Sequence, residues 1–359
     1  MAKPIQVRKG MPDVQLTKAE FRRRIRERFY DPVFDKTREI ETIVEKAWLV
    51  YHGYHKSPRT RPAGRGFHDP RYKLSDEWRA TRDAVAAAEK KQKNPASKSR
   101  LLVVNGSSRS DQSCPGEMSK TFRLTQIAMK LFEKERGFEA ELLDLSLLTS
   151  QYGRNIYPCK ACVSTAQPLC HWPCSCYPNH ALGQVNDWMN EIYPKWAAAH
   201  GVMIVCPVNW YQAPSSLKLM IDRLVCADGG NPDPTTTHGK DVVAAKKLEL
   251  AGWPYPRHLA GRVFSVVVHG DATGTENLRR SLEDWLSDIG MIPAGSLALI
   301  DQYVGYLAPY ATSHDELDAD KGFQQDVRTA ARALVEAVKL KRAGKLPQSD
   351  AGLREAWPK

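Results

Sequence analysis

Residues 101–109, LLVVNGSSR, decide the fold of this chain. Leu101 to Val104 place apolar side chains on both faces of an extended strand, which is typical of a parallel strand covered by helices on either side. Four further strands are predicted downstream, at 140–145, 202–206, 263–269 and 297–300. Helices are predicted over 119–136, 182–199, 215–226, 275–289 and 322–343, with Thr275 capping the fourth. This alternation predicts an α/β fold with a doubly wound, five-stranded parallel sheet.

The composition of the 359-residue chain is that of a globular protein with about two domains. Hydrophobic residues make up 42% and charged residues 26%, which excludes the collagen-like and wholly disordered classes. No apolar run approaches the ~20 residues that cross a bilayer, and the first residues lack the apolar segment of a signal peptide. We therefore expect a soluble, cytoplasmic protein without a membrane span.

The net charge of +11 is concentrated at the N-terminal end. Residues 1–100 hold 25 Lys and Arg against 13 Asp and Glu, or +12, which leaves 27 against 28, or −1, for the remainder. A basic arm can attract nucleic acid, but no nucleic-acid-binding motif accompanies this one. A solvated or subunit-facing helical surface is the favoured interpretation.

The first 99 residues predict several helices that precede the strands of the sheet in the sequence. Thr17 and Glu20 have the spacing of a capping box, so a helix is expected from there to about Tyr30, where Asp31-Pro32 ends it. The parts that follow are an amphipathic helix over 40–51, a proline- and glycine-rich loop over 53–72, a helix capped by Ser75 and a linker over 90–95.

The loop after the first strand predicts a phosphate site. It offers several hydroxyls and one guanidinium, Arg109, and leads into the N-terminus of a helix, where unpaired N–H groups and positive potential favour an anion. It matches neither the P-loop nor the conventional dinucleotide fingerprint. The alternative is a serine-rich surface loop.

Two other strands end in loops that suit a flat ring. Residues 207–216, PVNWYQAPSS, place two aromatic side chains directly after the third strand. Residues 269–275, HGDATGT, follow the fourth strand with small residues that allow the backbone to approach a ligand closely. Because ligands of such sheets bind beyond the carboxyl ends of the strands, all three loops are expected at one crevice.

Together these loops resemble the flavodoxin-like NAD(P)H-dependent FMN reductase family, which includes quinone and azo reductases. The resemblance rests on GSSR at 106–109, PVNWYQAPSSLKLMIDR at 207–223 and HGDATG at 269–274, and covers residues 100–340. It implies a flavodoxin-like sheet, FMN as cofactor, NAD(P)H as electron donor and a small acceptor such as a quinone or azo compound. The domains expected are a basic helical extension (1–99), a flavodoxin-like FMN-binding domain (100–343) with an inserted excursion (228–259), and a C-terminal tail (344–359).

The resemblance also implies roles for individual residues. Those that would hold the FMN phosphate are Ser107, Arg109, Ser119, Lys120 and Thr121. The isoalloxazine would lie between Pro207, Asn209, Trp210, Tyr211 and Gln212 on one side and Gly270, Asp271 and Gly274 on the other. No dedicated general base is required, and His269 is either a hydrogen-bond donor to the ligand or a buried structural histidine.

Five of the eight cysteines crowd into residues 159–176, after the second strand. Relatives termed iron–sulfur flavoproteins place a compact cysteine motif there, and Cys159, Cys162, Cys170 and Cys174 would supply the four thiolates of a [4Fe–4S] cluster, although the spacing here is wider. Zinc bound by four of the five cysteines, with His171 or His180 substituting, is a second hypothesis. The third is a reduced, cysteine-rich loop without metal.

Two further hypotheses concern function and assembly. The alternative to a reductase is a flavodoxin-type or iron–sulfur electron carrier that acts on protein partners. The apolar helical faces of the extension, and the habit of the resembled family, lead us to expect a homodimer or homotetramer. The excursion from Asp228 is expected to form a lid over the flavin, with a solvated surface loop as the alternative.

Overall fold

A computed structural model of the chain describes residues 4–8, 15–57, 59–271, 273–305 and 307–346. Most of the predicted C-terminal tail, residues 347–359, lies outside this range. The strands are β1 (Thr60–Pro62), β2 (Lys73–Ser75), β3 (Ser99–Asn105), β4 (Phe138–Asp144), β5 (Gly201–Pro207), β6 (Val263–Gly270), β7 (Ile292–Pro293) and β8 (Leu299–Tyr303). The α-helices are α1 (Lys18–Arg26), α2 (Glu39–His52), α3 (Asp76–Lys93), α4 (Lys120–Phe132), α5 (Leu147–Ser150), α6 (Met189–Ala198), α7 (Ser215–Arg223), α8 (Val242–Leu250), α9 (Thr275–Asp288), α10 (Ser313–Ala319) and α11 (Lys321–Arg342).

The central sheet is parallel throughout its described pairings. Its order is β4-β3-β5-β6, and the fifth position is filled in two pieces, since β7 and β8 both pair with β6. This is the flavodoxin-like order, with the reversal of strand order between β3 and β5, and it confirms the predicted fold class. The fifth strand begins at Leu299 and not at 297, because a 3₁₀ turn, Ser296–Ala298, precedes it.

Helices cover both faces of the sheet. On one face, α4 and α11 pack on alternate strand residues such as Leu101, Val103 and Val267, and the resulting core is fully buried. On the other face, α9 buries Leu278, Leu282 and Leu286. Because helices cover both faces of the sheet, residues 101–104 of β3 are apolar in succession and do not alternate with polar residues.

Several predicted helix boundaries were wrong. The helix expected from 182 begins at Met189, because Gly183 and Asn186 adopt positive φ angles that interrupt it. The predicted linker at 90–95 is helical as far as Lys93. Gly274, with φ +107°, occupies the N-cap position that the sequence assigns to Thr275, which is instead the first residue of α9.

The chain forms two compact units. One comprises Met1–Asp83, Asn155–Asn190 and Gly229–Pro256, and is called the N-terminal unit below; the other comprises Ala84–Arg154, Glu191–Asp228 and Arg257–Lys359, and is called the sheet unit. This division differs from the contiguous domains expected from the sequence. No helix among the described residues is long and apolar enough to cross a membrane.

In the N-terminal unit, α1 and α2 pair through an aromatic cluster and ion pairs. Phe21 stacks on Tyr51 at 4.7 Å between ring centroids, and Thr17 caps α1 by accepting a hydrogen bond from the Glu20 N–H. Basic residues of α1 face acidic residues of α2: Lys18 and Arg22 both reach Glu45. These ion pairs fasten α1 to α2.

The excursion belongs to the same N-terminal unit and is not a solvated loop. It contains the 3₁₀ helix Pro234–Thr237 and helix α8, and the side chains of Asn231, Thr235 and Thr237 are buried. The Asn231 Nδ2 group donates to Thr236 Oγ1 at 2.9 Å. The burial of these side chains contradicts the alternative of a solvated surface loop.

Candidate active site

The candidate site lies in the sheet unit, at the carboxyl ends of β3, β5 and β6. The parallel register aligns Asn105 of β3 with Val205 of β5, and Pro207 of β5 with His269 of β6, so the loops that follow emerge along one edge. The backbone of Gly106 is pressed against this edge, since a Cβ there would stand 2.7 Å from Cys206 Cβ. A side chain at position 106 would push the loop away from the sheet.

The serine-rich loop after β3 is folded on its own hydroxyls. Ser107 Oγ accepts from the Arg109 N–H at 3.0 Å, and Ser113 Oγ accepts from the Ser110 N–H at 2.9 Å. All three serines of this set, 107, 110 and 113, are buried. The serines of the loop are therefore packed inward, whereas residues 111, 112 and 114–118 are exposed.

Asn105 organises the start of this loop, a role that the sequence analysis missed. Its side-chain oxygen accepts from the Ser107 N–H at 3.3 Å, and its Nδ2 donates to Asp144 Oδ1 at 2.7 Å. The side chain thereby ties the loop to the end of the neighbouring strand β4. The signal in the sequence was the position of Asn105, a polar residue at the end of an otherwise apolar run.

Donor groups converge where the loop enters α4. Ser119 is the N-cap: its Oγ accepts from the Phe122 N–H at 3.1 Å and donates to the Arg109 carbonyl at 2.9 Å. The N–H groups of Lys120 and Thr121, the first two of the helix, make no hydrogen bond to other residues in the described chain. They leave two donors and the positive end of a 13-residue helix available to an anion.

Arg109 stands beside these donors. Its Nη2 donates to the Glu117 carbonyl at 3.1 Å, which anchors the guanidinium over the loop. Its Nε is buried and has no partner among the described residues. A buried donor without an acceptor is costly, and an anionic oxygen would satisfy it.

His269, the penultimate residue of β6, contacts the same helix turn. Its Nε2 lies 2.8 Å from Thr121 Oγ1, and both side chains are buried. Burial, reinforced by the charge of Lys120, lowers the pKa of His269 to about 3. The imidazole is therefore neutral at physiological pH.

The loop after β5 makes a tight turn that presents two aromatic side chains. Asn209 and Gln212 exchange both backbone hydrogen bonds at 3.0 Å, and Trp210 and Tyr211 between them have φ angles of +47° and +66°. Two consecutive left-handed residues other than glycine are strained, by an order of 1–3 kcal/mol each. Trp210 is 92% exposed and Tyr211 58% exposed. The strained turn therefore holds two aromatic side chains that are largely unburied in the fold.

The loop after β6 approaches this turn through its glycines. A Cβ at Gly274 would stand 3.3 Å from Tyr211 Cα, and one at Gly270 would stand 3.3 Å from Val208 Cβ. The Val208 N–H donates to the His269 carbonyl at 2.9 Å, which links the two loops. Asp271, between these glycines, is partly exposed.

The structure thus draws the predicted site residues into two groups on one edge of the sheet. The polar group consists of Ser107, Arg109, Ser119, Lys120 and Thr121, although the Ser119 hydroxyl is occupied in capping α4. The group around the aromatic turn consists of Pro207, Asn209, Trp210, Tyr211, Gln212, Gly270, Asp271 and Gly274. The first can hold an anion and the second a planar ring.

The cysteine-rich segment belongs to the N-terminal unit and does not fit a metal centre. Cys162 Sγ and Cys176 Sγ lie 3.5 Å apart, but no three His, Cys, Asp or Glu side chains in the described ranges converge as metal ligands. The Lys240 ammonium group lies 3.8 Å from Cys162 Sγ, and it interacts electrostatically with the thiols of Cys170, Cys174 and Cys176 as well. A positive group facing these thiols opposes the binding of a metal cation.

The two histidines of the zinc hypothesis do not join a group of metal ligands in the described ranges. Both ring nitrogens of His171 contact hydroxyls, Nδ1 with Ser175 Oγ at 2.5 Å and Nε2 with Thr237 Oγ1 at 3.2 Å. The His180 ring instead faces Glu77, with 3.5 Å between Nε2 and Oε1. The predicted ligand set of Cys159, Cys162, Cys170 and Cys174 is therefore not supported by the geometry.

Comparison with known proteins identifies the family. Residues 99–305 match the model of the NADPH-dependent FMN reductase family. A curated relative, the iron–sulfur flavoprotein of Methanosarcina thermophila, is 26% identical over 197 residues, which are 55% of this chain and 77% of that protein.

Solved structures resemble the chain at low sequence identity. RosB with a bound intermediate has a TM-score of 0.47 and 16% identity, with 69% of this chain and 81% of that chain covered. An azoreductase from Bacillus anthracis str. Sterne has a TM-score of 0.35 and 12% identity, with 65% and 99% covered.

The family match makes the protein a flavin-dependent oxidoreductase. Because the family match spans more than half of the chain, the protein belongs to the NADPH-dependent FMN reductase family. The matched range covers most of the sheet unit together with residues 155–190 and 229–256 of the N-terminal unit, whereas residues 1–98 and 306–359 lie outside it.

Proposed function

We propose that the protein binds FMN at this edge of the sheet. The flavin would accept a hydride from NAD(P)H and then deliver electrons to a small acceptor such as a quinone or azo compound. The observation that carries the proposal is the set of donors without partners at the start of α4. The Lys120 and Thr121 N–H groups and the Arg109 Nε are three donors without partners, in the loop after β3 and the first turn of α4 that follows it. A phosphate monoester is the ligand that satisfies such a set.

The residues present fit the FMN phosphate with one adjustment to the expected roles. Ser107 Oγ accepts a backbone N–H within its loop, so its own proton is left for a phosphate oxygen. Ser119 acts instead through its capping bonds, which hold the Arg109 carbonyl and the helix N-terminus together. Thr121 contributes its N–H and, beside His269, its hydroxyl.

The strained turn at Trp210 and Tyr211 supports a ring site. Two largely exposed aromatic side chains on a rigid, doubly hydrogen-bonded turn provide a surface on which a planar ring can stack. The close approach of Gly274 to Tyr211 keeps the opposite loop free of side chains at that point. These two loops would hold the isoalloxazine, with Trp210 and Tyr211 supplying the surface for stacking.

The flavin supplies the two-electron chemistry when it is bound, and the chain supplies binding and orientation. His269 is unsuited to proton transfer, because its pKa of about 3 and its bond to Thr121 keep it neutral and engaged. We therefore assign the protein no general base and leave the proton of the reduced acceptor to solvent.

The test is the identity and affinity of the bound cofactor. The purified protein is expected to be yellow and to release FMN and not FAD on denaturation, since one loop with one arginine matches one phosphate. Titration of the apoprotein should give tighter binding of FMN than of riboflavin. A colourless protein that fails to bind added FMN contradicts the proposal.

The acceptor class is tested separately. NAD(P)H oxidation should accelerate on addition of a quinone or azo dye, and more so than on addition of a protein acceptor such as a cytochrome. Acceleration by the protein acceptor alone would favour the electron-carrier alternative.

A further inference from the structure

The N-terminal unit contains a cavity that the flavin chemistry does not use. It has a volume of about 500 Å³ and is lined by segments from all three parts of that unit. Two cysteines, Cys162 and Cys176, lie in its wall, and both are thiols with partly exposed side chains. Thr165, Trp78 and Tyr177 line other parts of the cavity.

The two thiols are paired. Cys162 Sγ and Cys176 Sγ are 3.5 Å apart, which is van der Waals contact, so a bond of ~2.05 Å between them requires only a small side-chain movement. Either sulfur can donate in this contact, but the Lys240 ammonium group lies 3.8 Å from Cys162 Sγ and favours the thiolate form of Cys162. Cys162 is thus the nucleophile and Cys176 the resolving thiol.

The cavity is positively charged. Four lysines line it, at positions 56, 73, 160 and 240, and no Asp or Glu occurs among its described lining residues. Lys240 Nζ is fixed by a hydrogen bond to the Leu169 carbonyl at 2.5 Å, and Lys160 Nζ lies 4.8 Å from the centre of the Tyr177 ring. Such a wall favours a small ligand with negative charge.

We propose that Cys162 and Cys176 form a redox-active dithiol that reduces the disulfide bond of a small, carboxylate-bearing disulfide bound in this cavity. The Cys162 thiolate attacks one substrate sulfur, which forms a mixed disulfide and releases the first substrate thiolate. Cys176 loses its proton to that thiolate and attacks Cys162 Sγ, which breaks the mixed disulfide. The products are a Cys162–Cys176 disulfide and two substrate thiols, so two electrons pass from the protein to the substrate, together with one proton from Cys176 and one from solvent.

The experiment compares two disulfides of opposite charge on the reduced full-length protein under anaerobic conditions. The dianion 3,3′-dithiodipropionate and the dication cystamine are each reacted with the protein and, for reference, with N-acetylcysteine. After division by the reference rate, the dianion should react about tenfold faster than the dication. Peptide mapping should then locate one new disulfide, between Cys162 and Cys176, with the loss of two hydrogens.

Variants separate the two steps. Cys176→Ser should stop the reaction at the mixed disulfide on Cys162, and Cys162→Ser should form none. Lys160→Met should lower the rate with the dianion and spare cystamine. Cys114→Ser removes an exposed cysteine of the sheet unit and should behave as wild type.

Several outcomes would overturn the proposal. Faster normalised reaction with cystamine contradicts the charge argument, and a disulfide mapped to other cysteines contradicts the pairing. The metal hypothesis would be restored if the isolated protein bound iron or zinc stoichiometrically and lost the metal on thiol modification. None of these readouts involves flavin, so the FMN proposal stands or falls separately.

Discussion

His269 Nε2 lies 2.8 Å from Thr121 Oγ1, which joins the end of β6 to the first turn of α4 across 148 residues of sequence. The other ring nitrogen, Nδ1, is buried without a partner among the described residues. Because an unsatisfied buried N–H is costlier than an unsatisfied lone pair, we assign the ring proton to Nε2. Nε2 then donates to Thr121, whose own hydroxyl proton remains free for a phosphate oxygen.

Removing this donor should weaken the binding of FMN selectively. We expect Thr121→Val and His269→Leu each to raise the Kd for FMN about tenfold, or ~1.4 kcal/mol, and to leave the Kd for riboflavin nearly unchanged. His269→Gln, which can still donate, should retain most of the affinity. Isothermal titration with both ligands checks this, and parallel losses for FMN and riboflavin would show that His269 acts only in packing.

Arg109 should matter far more for FMN than Arg123. Arg109 holds a buried Nε without a partner beside the start of α4, whereas Arg123 forms an ion pair with Asp318 at 2.9 Å. We expect Arg109→Ala to weaken FMN binding by about tenfold or more and Arg123→Ala to have little effect. Equal losses in fluorescence titrations would place the phosphate elsewhere.

The strained turn at Tyr211 should lower the thermal stability of the protein and raise its affinity for flavin. Tyr211→Gly relieves a positive φ angle and should raise the thermal midpoint slightly, yet it should weaken the binding of flavin because the stacking surface is lost. Tyr54→Gly relieves a comparable φ of +53° in the N-terminal unit and serves as the control. It should leave flavin affinity unchanged. Tighter flavin binding by Tyr211→Gly would contradict a stacking role.

Acid should destabilise the sheet unit through its buried histidines. Burial is the main cause that lowers the pKa of His269 to about 3 and of His200 to about 4. Since the ordinary pKa is about 6.5, the unfolded chain binds more protons between these values, and stability falls as the pH drops below 6.5. His200→Gln should reduce the slope of unfolding free energy against pH between 5 and 6.5. An unchanged slope in urea titrations would show that His200 is protonated in the folded state.

The protein should form a dimer or a larger oligomer. Helix α2 leaves Ile43 49% exposed and Leu49 65% exposed, and these side chains lie on a surface helix with no described cover. Light scattering should give a multiple of the chain mass, and Leu49→Glu should lower it. A monomeric wild-type protein would contradict this prediction.

Much of the sheet unit was predictable from local sequence. The apolar runs of β3, β5 and β6 and the helical periodicity of α9 and α11 report burial on two faces, which suffices for the order of elements and the fold class. The three loops were also identifiable, because each follows directly after a buried strand. What periodicity could not resolve was the exact start of α6, where positive φ angles at Gly183 and Asn186 decide the boundary.

Only the tertiary structure decided how distant segments combine. The serine hydroxyls that seemed free to bind phosphate are partly consumed by the loop's own backbone, and the bond between His269 and Thr121 joins residues that no local pattern connects. Cysteine spacing suggested metal, but Lys240, 64 residues after Cys176, places an ammonium group against the thiols. Local sequence determines which residues are buried or helical. Long-range packing determines which polar groups come into contact, and the chemistry of both sites depends on those contacts.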